Sequence, residues 1–280
     1  MNYFDIHSHI NLKPLLDDQE GVIGRMNEAG VGTITVGVDY PTSKLAIDLA
    51  TKYENLYACV GLHPADNATE IFDYEKYLEL AKHERVVAIG ETGLDYFRLT
   101  GTDDEVARQK NNQKEIFIKH IELALEAGKP LMIHARPAKN SMDAYSDALD
   151  ILESYKLKTE SNNLTANFHF FVGDINIAKR IVKNSWTMSF DGPITFVNDY
   201  DEVIASIPIE NIMAETDAPF AMPEPYRTAF RADPQSSGKT CEPHMVTEIY
   251  KKIAEIKNLD QEECRLVINK NVERVFGIKI

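Results

Sequence analysis

Eight short β-like runs alternate with longer helix-like stretches along this chain, and that alternation leaves few folds open to it. The β-like runs are residues 3–9, 33–38, 56–60, 86–90, 131–134, 164–169, 185–190 and 212–216. Between them, apolar residues at helical spacing predict helices over 20–29, 41–53, 73–82, 104–127, 142–155, 174–183 and 199–205, with stops at Gly30, Gly128 and Pro130. Strands separated by helices pair in parallel through right-handed crossovers, and eight such units predict closure into a barrel. The expected fold is therefore α/β, a single (β/α)8 TIM barrel over residues 1–280 with additional C-terminal helices. No Gly/Ser linker, charge run or low-complexity segment marks a domain boundary, and the Pro-rich stretch 219–243 reads as a long active-site loop.

Composition excludes some functions. With 44% hydrophobic and 26% charged residues the 280-residue chain has an ordinary soluble composition. A net charge of −14 argues against a broad basic nucleic-acid-binding face, so an anionic substrate would have to be attracted locally, by metal ions. Cys59, Cys241 and Cys264 lack metal-ligand spacing and fit unpaired thiols in a reducing compartment. The N-terminus enters a strand directly, and no apolar run approaches the roughly 20 residues that span a membrane. A cytoplasmic location without membrane contact is the expectation.

The ends of the β-like runs carry the chemistry. His7 and His9 end the first, and residues i and i+2 of a strand share a face, so both imidazoles can reach one point. A lone His-x-His pair means little; its weight comes from the other strand ends. His63 follows the third run, Glu91 the fourth, His134 ends the fifth, His169 ends the sixth and Asp217 follows the eighth. In a barrel all seven lie at the C-terminal mouth, where active sites are built. His83, directly after the predicted helix 73–82, and His120, within 104–127, are read as solvated or helix-face residues, and His244 is also left out of the site.

His7, His9, His134 and His169 with Glu91 and Asp217 form an N/O donor set without thiolate, suited to Zn, Mn, Mg or Fe. Six ligands exceed one tetrahedral zinc site, so two divalent ions sharing a carboxylate is the natural arithmetic, with Glu91 as the bridge. Such a pair lowers the pKa of water and clamps attacking and leaving oxygens during hydrolysis, and Asp217 is placed to accept the water's proton.

Together, Asp5-Ile6-His7-Ser8-His9, Gly61-Leu62-His63-Pro64, Gly90-Glu91-Thr92-Gly93-Leu94-Asp95-Tyr96, His134-Ala135-Arg136, His169 through Gly173, Ser189-Phe190-Asp191-Gly192 and Glu215-Thr216-Asp217-Ala218-Pro219 resemble the TatD family of metal-dependent hydrolases. That family belongs to the amidohydrolase superfamily of TIM barrels. Glu242-Pro243 and Asn271 through Phe276 resemble its C-terminal helices, so the likeness runs from residue 3 to 277. The resemblance implies a TatD-like deoxyribonuclease that hydrolyses DNA from 3′ ends, with DNA as substrate rather than as a tightly held partner. It also implies that His7, His9 and Asp217 hold one ion, His134 and His169 the other, and Glu91 both. His63 would contact substrate or phosphate, the alternative being a loop histidine capped by Pro64; Arg136 would fork onto a phosphate or make a structural salt bridge, and Tyr96 would stack on a base or sugar or pack in the core or a loop.

The sequence departs from the family at the sixth run, where His169 is followed by Phe170-Phe171-Val172-Gly173 rather than by a small residue, making the adjoining pocket bulkier. The connections 98–104 and 156–163 also look longer or more polar than usual. An alternative is therefore a metal-dependent hydrolase of another ester or amide, such as a lactone or aminoacyl ester. A non-catalytic metal-binding barrel would be expected to lack ligands, and none is missing.

Overall fold

The structure, a computed structural model, describes residues 1–65, 70–158, 164–232 and 240–280. The eight β-like runs are eight strands: β1 (Tyr3–Ser8), β2 (Val31–Val36), β3 (Leu56–Val60), β4 (Val86–Asp95), β5 (Leu131–Arg136), β6 (Ala166–Phe168), β7 (Thr187–Phe190) and β8 (Ile212–Ala214). They pair in parallel in sequence order. The seam between first and last is made just beyond β8. There the His9 amide donates to the Ala218 carbonyl at 2.7 Å and the Asp217 amide donates to the His7 carbonyl at 2.9 Å. The sheet thus closes into the TIM barrel that the alternation predicts.

Helices α1 (Gln19–Ala29), α2 (Tyr40–Lys52), α3 (Tyr74–Ala81), α4 (Asp103–Ala127), α5 (Asp143–Lys158), α6 (Ile175–Lys183) and α7 (Asp201–Ser206) fill the crossovers, and α8 (Tyr226–Ala232), α9 (Val246–Lys257) and α10 (Gln261–Phe276) follow β8. Local chemistry sets their ends. Asp39 with Thr42, and Thr102 with Glu105, form reciprocal capping boxes at the starts of α2 and α4. Gly30 and Gly128 close α1 and α4 in the left-handed conformation, at φ +67° and +64°, as the predicted stops require. Of the stretch 219–243, residues 233–239 lie outside the described residues, as do 159–163 of the connection 156–163.

Two hydrophobic layers surround the sheet. The larger packs the outer strand faces against the helices, and the smaller fills the barrel interior. Val272, Val275 and Phe276 of α10 join Phe4, Ile6, Ile34 and Met213 in that inner layer, so the C-terminal helix plugs the end at which the strands begin. The opposite end stays available for polar side chains.

Pairing irregularities aim those side chains. On β1 the register shifts between Asp5 and Ser8, so Ile6 and His7, though adjacent, both face inward. On β4 it shifts between Ile89 and Thr92: Ala88 lies in the inner layer, Ile89 in the outer, and Glu91 turns inward again. β4 also runs on to Asp95 rather than ending at residue 90 as predicted.

His120 corrects an expectation. It is fully buried in α4 rather than solvated. Its Nδ1–H donates to the Ile116 carbonyl at 2.9 Å, and its Nε2 accepts the Leu62 amide at 3.0 Å, fixing the loop that carries His63. His83 lies in the turn after α3, not in a helix. Burial pushes the His120 pKa down to about 4 from 6.5. Between those values the unfolded chain binds more protons than the folded one, so the contribution of neutral His120 is complete above about pH 6.5 and is lost as pH falls toward 4. His120→Gln keeps an acceptor for Leu62. Urea unfolding should show wild type losing roughly 2 kcal/mol more stability than this variant between about pH 7 and about pH 5; equal losses would contradict the assignment.

Candidate active site

His7, His9, His63, Glu91, His134, His169 and Asp217 converge at the C-terminal end of the barrel. All but His7 line a cavity of about 550 Å³, and His7 is fully buried beneath it with its ring stacked on that of His169 at 3.9 Å. Asp217 is aimed back into the barrel by a left-handed backbone, φ 51°, which Asp tolerates better than most residues and which the seam hydrogen bonds hold.

The two oxygens of Glu91 face different groups. Its Oε2 lies 3.6 Å from His7 Nε2 and 3.7 Å from His9 Nε2. Those two nitrogens are 3.2 Å apart, and each faces Asp217 Oδ1, at 3.6 and 3.4 Å respectively. Its Oε1 lies 2.8 Å from both His134 Nδ1 and His169 Nε2, which are 3.4 Å apart, and 3.5 Å from His63 Nε2.

Outer partners decide which nitrogen of each ring faces the centre. His9 Nδ1–H donates to the Val36 carbonyl at 2.9 Å, leaving its Nε2 lone pair directed inward. His134 Nε2 faces Asp95 Oδ2 at 3.3 Å and His169 Nδ1 faces Glu215 Oε1 at 3.4 Å, which likewise directs the opposite nitrogens inward. His63 is the reverse. Its Nδ1 accepts the Ala65 amide at 3.2 Å, so Nε2 carries the proton and presents a donor.

Burial alone would push the Glu91 carboxyl up, but the imidazoles of His169, His63 and His134 outweigh it and hold the group well below the usual carboxylate range. Asp217 is also held down: burial opposes ionisation, while the His9 hydrogen bond and the charges of His7, His9 and His169 overcome it. Asp191 goes the other way, raised by burial and then by Glu215 and Asp217.

This donor set fits divalent metal. Imidazole lone pairs directed at one another, and at ionised carboxylate oxygens within 4 Å, repel unless a proton or a metal ion lies between them. A tetrahedral site with Zn–N distances of about 2.0–2.1 Å has ligand-to-ligand edges of about 3.3–3.4 Å. The measured edges among His7, His9, Asp217 and Glu91 run from 3.2 to 3.7 Å. His7, His9 and Asp217 form one group whose donor atoms lie within 4.8 Å of one another, and Glu91, His134 and His169 form another.

Sequence reasoning missed the carboxylates behind the histidines. Asp95 and Glu215 are fully buried, and the latter also accepts the Phe170 amide at 2.7 Å and the Ser189 hydroxyl at 2.5 Å. Spacing was the available signal, since Asp95 stands four residues from Glu91 and Glu215 two from Asp217, intervals that return to one face of a strand. Tyr96 is a correction. Its ring is 3% exposed, its hydroxyl donates to Asp147 at 2.8 Å, and the Lys110 ammonium sits 4.1 Å from the ring, so it packs in the wall and does not present a face for stacking. Phe220 lines the cavity and is 56% exposed, and Phe97, 53% exposed, lies in the neighbouring groove. Arg136 does line the cavity, as does Arg98, which the sequence reading passed over. Of the bulky residues after His169, Phe170 lines the cavity, whereas Phe171 is buried against Tyr145 and Phe190.

Residues 4–277 match the family described as TatD related DNase. The uncharacterized metal-dependent hydrolase YabD of Bacillus subtilis is 35% identical, over 98% of this chain and 99% of that protein. The uncharacterized metal-dependent hydrolase TatD of Mycobacterium tuberculosis is 32% identical, over 98% and 97%. The crystal structure of YJJV, a TatD homolog from Escherichia coli K12, shares the fold with a TM-score of 0.80 at 24% identity, over 99% of each chain. On this match in sequence, fold and donor set, the chain belongs to the TatD family and is a metal-dependent hydrolase.

Proposed function

We propose that the protein hydrolyses phosphodiester bonds of DNA, removing nucleotides from 3′ ends, with two divalent ions drawn from Zn, Mg and Mn. His7, His9 and Asp217 would hold one ion, His134 and His169 the other, and Glu91 would hold both, one on each oxygen. Ions so held lower the pKa of water and polarise the oxygens of a phosphodiester. The observation that carries this reading is the division of the Glu91 oxygens, Oε2 toward His7 and His9, Oε1 toward His134 and His169.

The remaining roles follow from position. Asp217, held ionised and lining the cavity, accepts the proton of the attacking water. His63 offers its Nε2–H to a phosphate oxygen. Arg136 at the cavity wall supplies local positive charge on a −14 chain, and a guanidinium matches phosphate in two-point geometry; Arg98 beside it is paired with Asp95 at 3.4 Å. The Arg136 cation favours a phosphodiester over an uncharged carboxyl ester. Asp95 and Glu215 act behind the site, by holding the rings of His134 and His169.

With Mg²⁺ or Mn²⁺, the purified protein should shorten 5′-labelled single-stranded DNA and lose that activity in EDTA; turnover of a small carboxyl ester with DNA left intact would replace the reading. Glu91→Ala should lose both ions together, read by elemental analysis after dialysis, and a variant that kept its full metal content would refute the shared carboxylate. Asp95→Asn should weaken metal affinity by about 10–100-fold through the loosened His134 ring. Competition against a chromogenic chelator measures this directly, and an unchanged affinity would remove Asp95 from the site.

A further inference from the structure

Beside the cavity runs a second, shallower groove of about 600 Å³, and Arg136 and Val172 belong to the walls of both. Arg136 and Val172 therefore stand at the boundary between the two. Phe97 forms one wall, its exposed ring lying 4.2 Å beneath the Arg136 guanidinium, and the exposed Lys139 and Asn140 stand further out. The carboxylate on the opposite wall, Asp174, is engaged with the first-turn amides of α6, accepting Asn176 and Ile177 at 2.9 Å each.

We propose that this groove is a subsite for single-stranded nucleic acid, taking the nucleotides on the 5′ side of the bond cleaved in the neighbouring cavity. The inference rests on the phosphodiesterase reading and deepens it. A volume of about 550 Å³ suits one terminal nucleotide beside the donor groups, so a longer strand needs an exit, and the groove supplies one with the right chemistry. An exposed aromatic face stacks a base without regard to its identity, and flanking cations follow the phosphates. Phe97 provides the face, while Arg136 at the junction and Lys139 beyond it provide the cations. On a chain of net charge −14, the groove beside the cavity carries an exposed aromatic ring and two cations. Tyr96 is buried while Phe97, in the turn just past β4, is exposed, so the stacking face at this strand end is that of Phe97.

The test compares a long and a short substrate of the same chemistry, the octanucleotide dT8 and p-nitrophenyl thymidine 5′-phosphate, which holds one nucleotide and does not extend along the groove. In Phe97→Ala/Lys139→Ala the ratio of kcat/KM for dT8 to that for the short ester should fall about tenfold. Phe97→Trp alone, which keeps a stacking face, should retain the wild-type ratio. An unchanged ratio in the double variant, or an equal fall in Phe97→Trp, overturns the subsite. Fluorescence anisotropy of labelled dT8 in EDTA reads the groove without catalysis: the double variant should bind more weakly, with a shallower salt dependence. If wild type hydrolyses neither substrate, the phosphodiesterase reading fails, and the anisotropy measurement still decides the groove, since equal binding by wild type and variant refutes it.

Discussion

Two backbone hydrogen bonds hold the ends of the sheet together, from the Asp217 amide to the His7 carbonyl and from the His9 amide to the Ala218 carbonyl. A parallel barrel has no turn to bring its first and last strands into contact, so the seam must be made by residues far apart in sequence. Here it is reinforced by a buried carboxylate: Asp5 accepts the Thr216 amide at 3.0 Å and its hydroxyl at 2.6 Å. Burial raises the Asp5 pKa well above its ordinary value even against those hydrogen bonds. The arrangement that closes the barrel is also the one that turns Asp217 toward His7 and His9, so architecture and site geometry rest on the same few atoms.

Three histidines illustrate how surroundings assign a job to one side-chain type. His9 donates its Nδ1–H to the Val36 carbonyl and so faces the centre with the Nε2 lone pair. His63, with Nδ1 occupied by the Ala65 amide, faces it with a proton. His120 sits below the His63 loop with both nitrogens bound to backbone, and is structural. None of these differences resides in the imidazole; each is set by which backbone group lies within 3.2 Å.

The sequence made the barrel legible because alternation of β-like and helical stretches is a one-dimensional pattern, and because Gly30 and Gly128 are chemically obligatory stops. The His7 and His9 pair was legible for a similar reason, since spacing on a strand survives the neighbouring irregularity. What failed depends on three-dimensional surroundings. For Tyr96 the motif alone does not separate stacking on a base from packing; the continuation of the fourth strand to Asp95 puts the ring in the wall. His120 was read as a helix-face residue because helical periodicity cannot show that a loop from a distant strand descends onto that face. Asp95 and Glu215 lie within the motifs, and their spacing from Glu91 and Asp217 puts them near the site, but it does not show that either stands behind an imidazole contributed by another strand.

The seam has a thermodynamic corollary. His7 and His9 belong to the first strand and its end, and Asp217 comes after the last strand, so a cation held jointly by the three would span the joint that closes the barrel. Whatever binds the closed form and not the open one adds RT ln(1 + [L]/Kd) to its stability, about 4 kcal/mol at a thousandfold excess over Kd. Such an ion would act as a clasp on the fold as well as a reagent, coupling the cell's metal supply to the lifetime of the closed barrel.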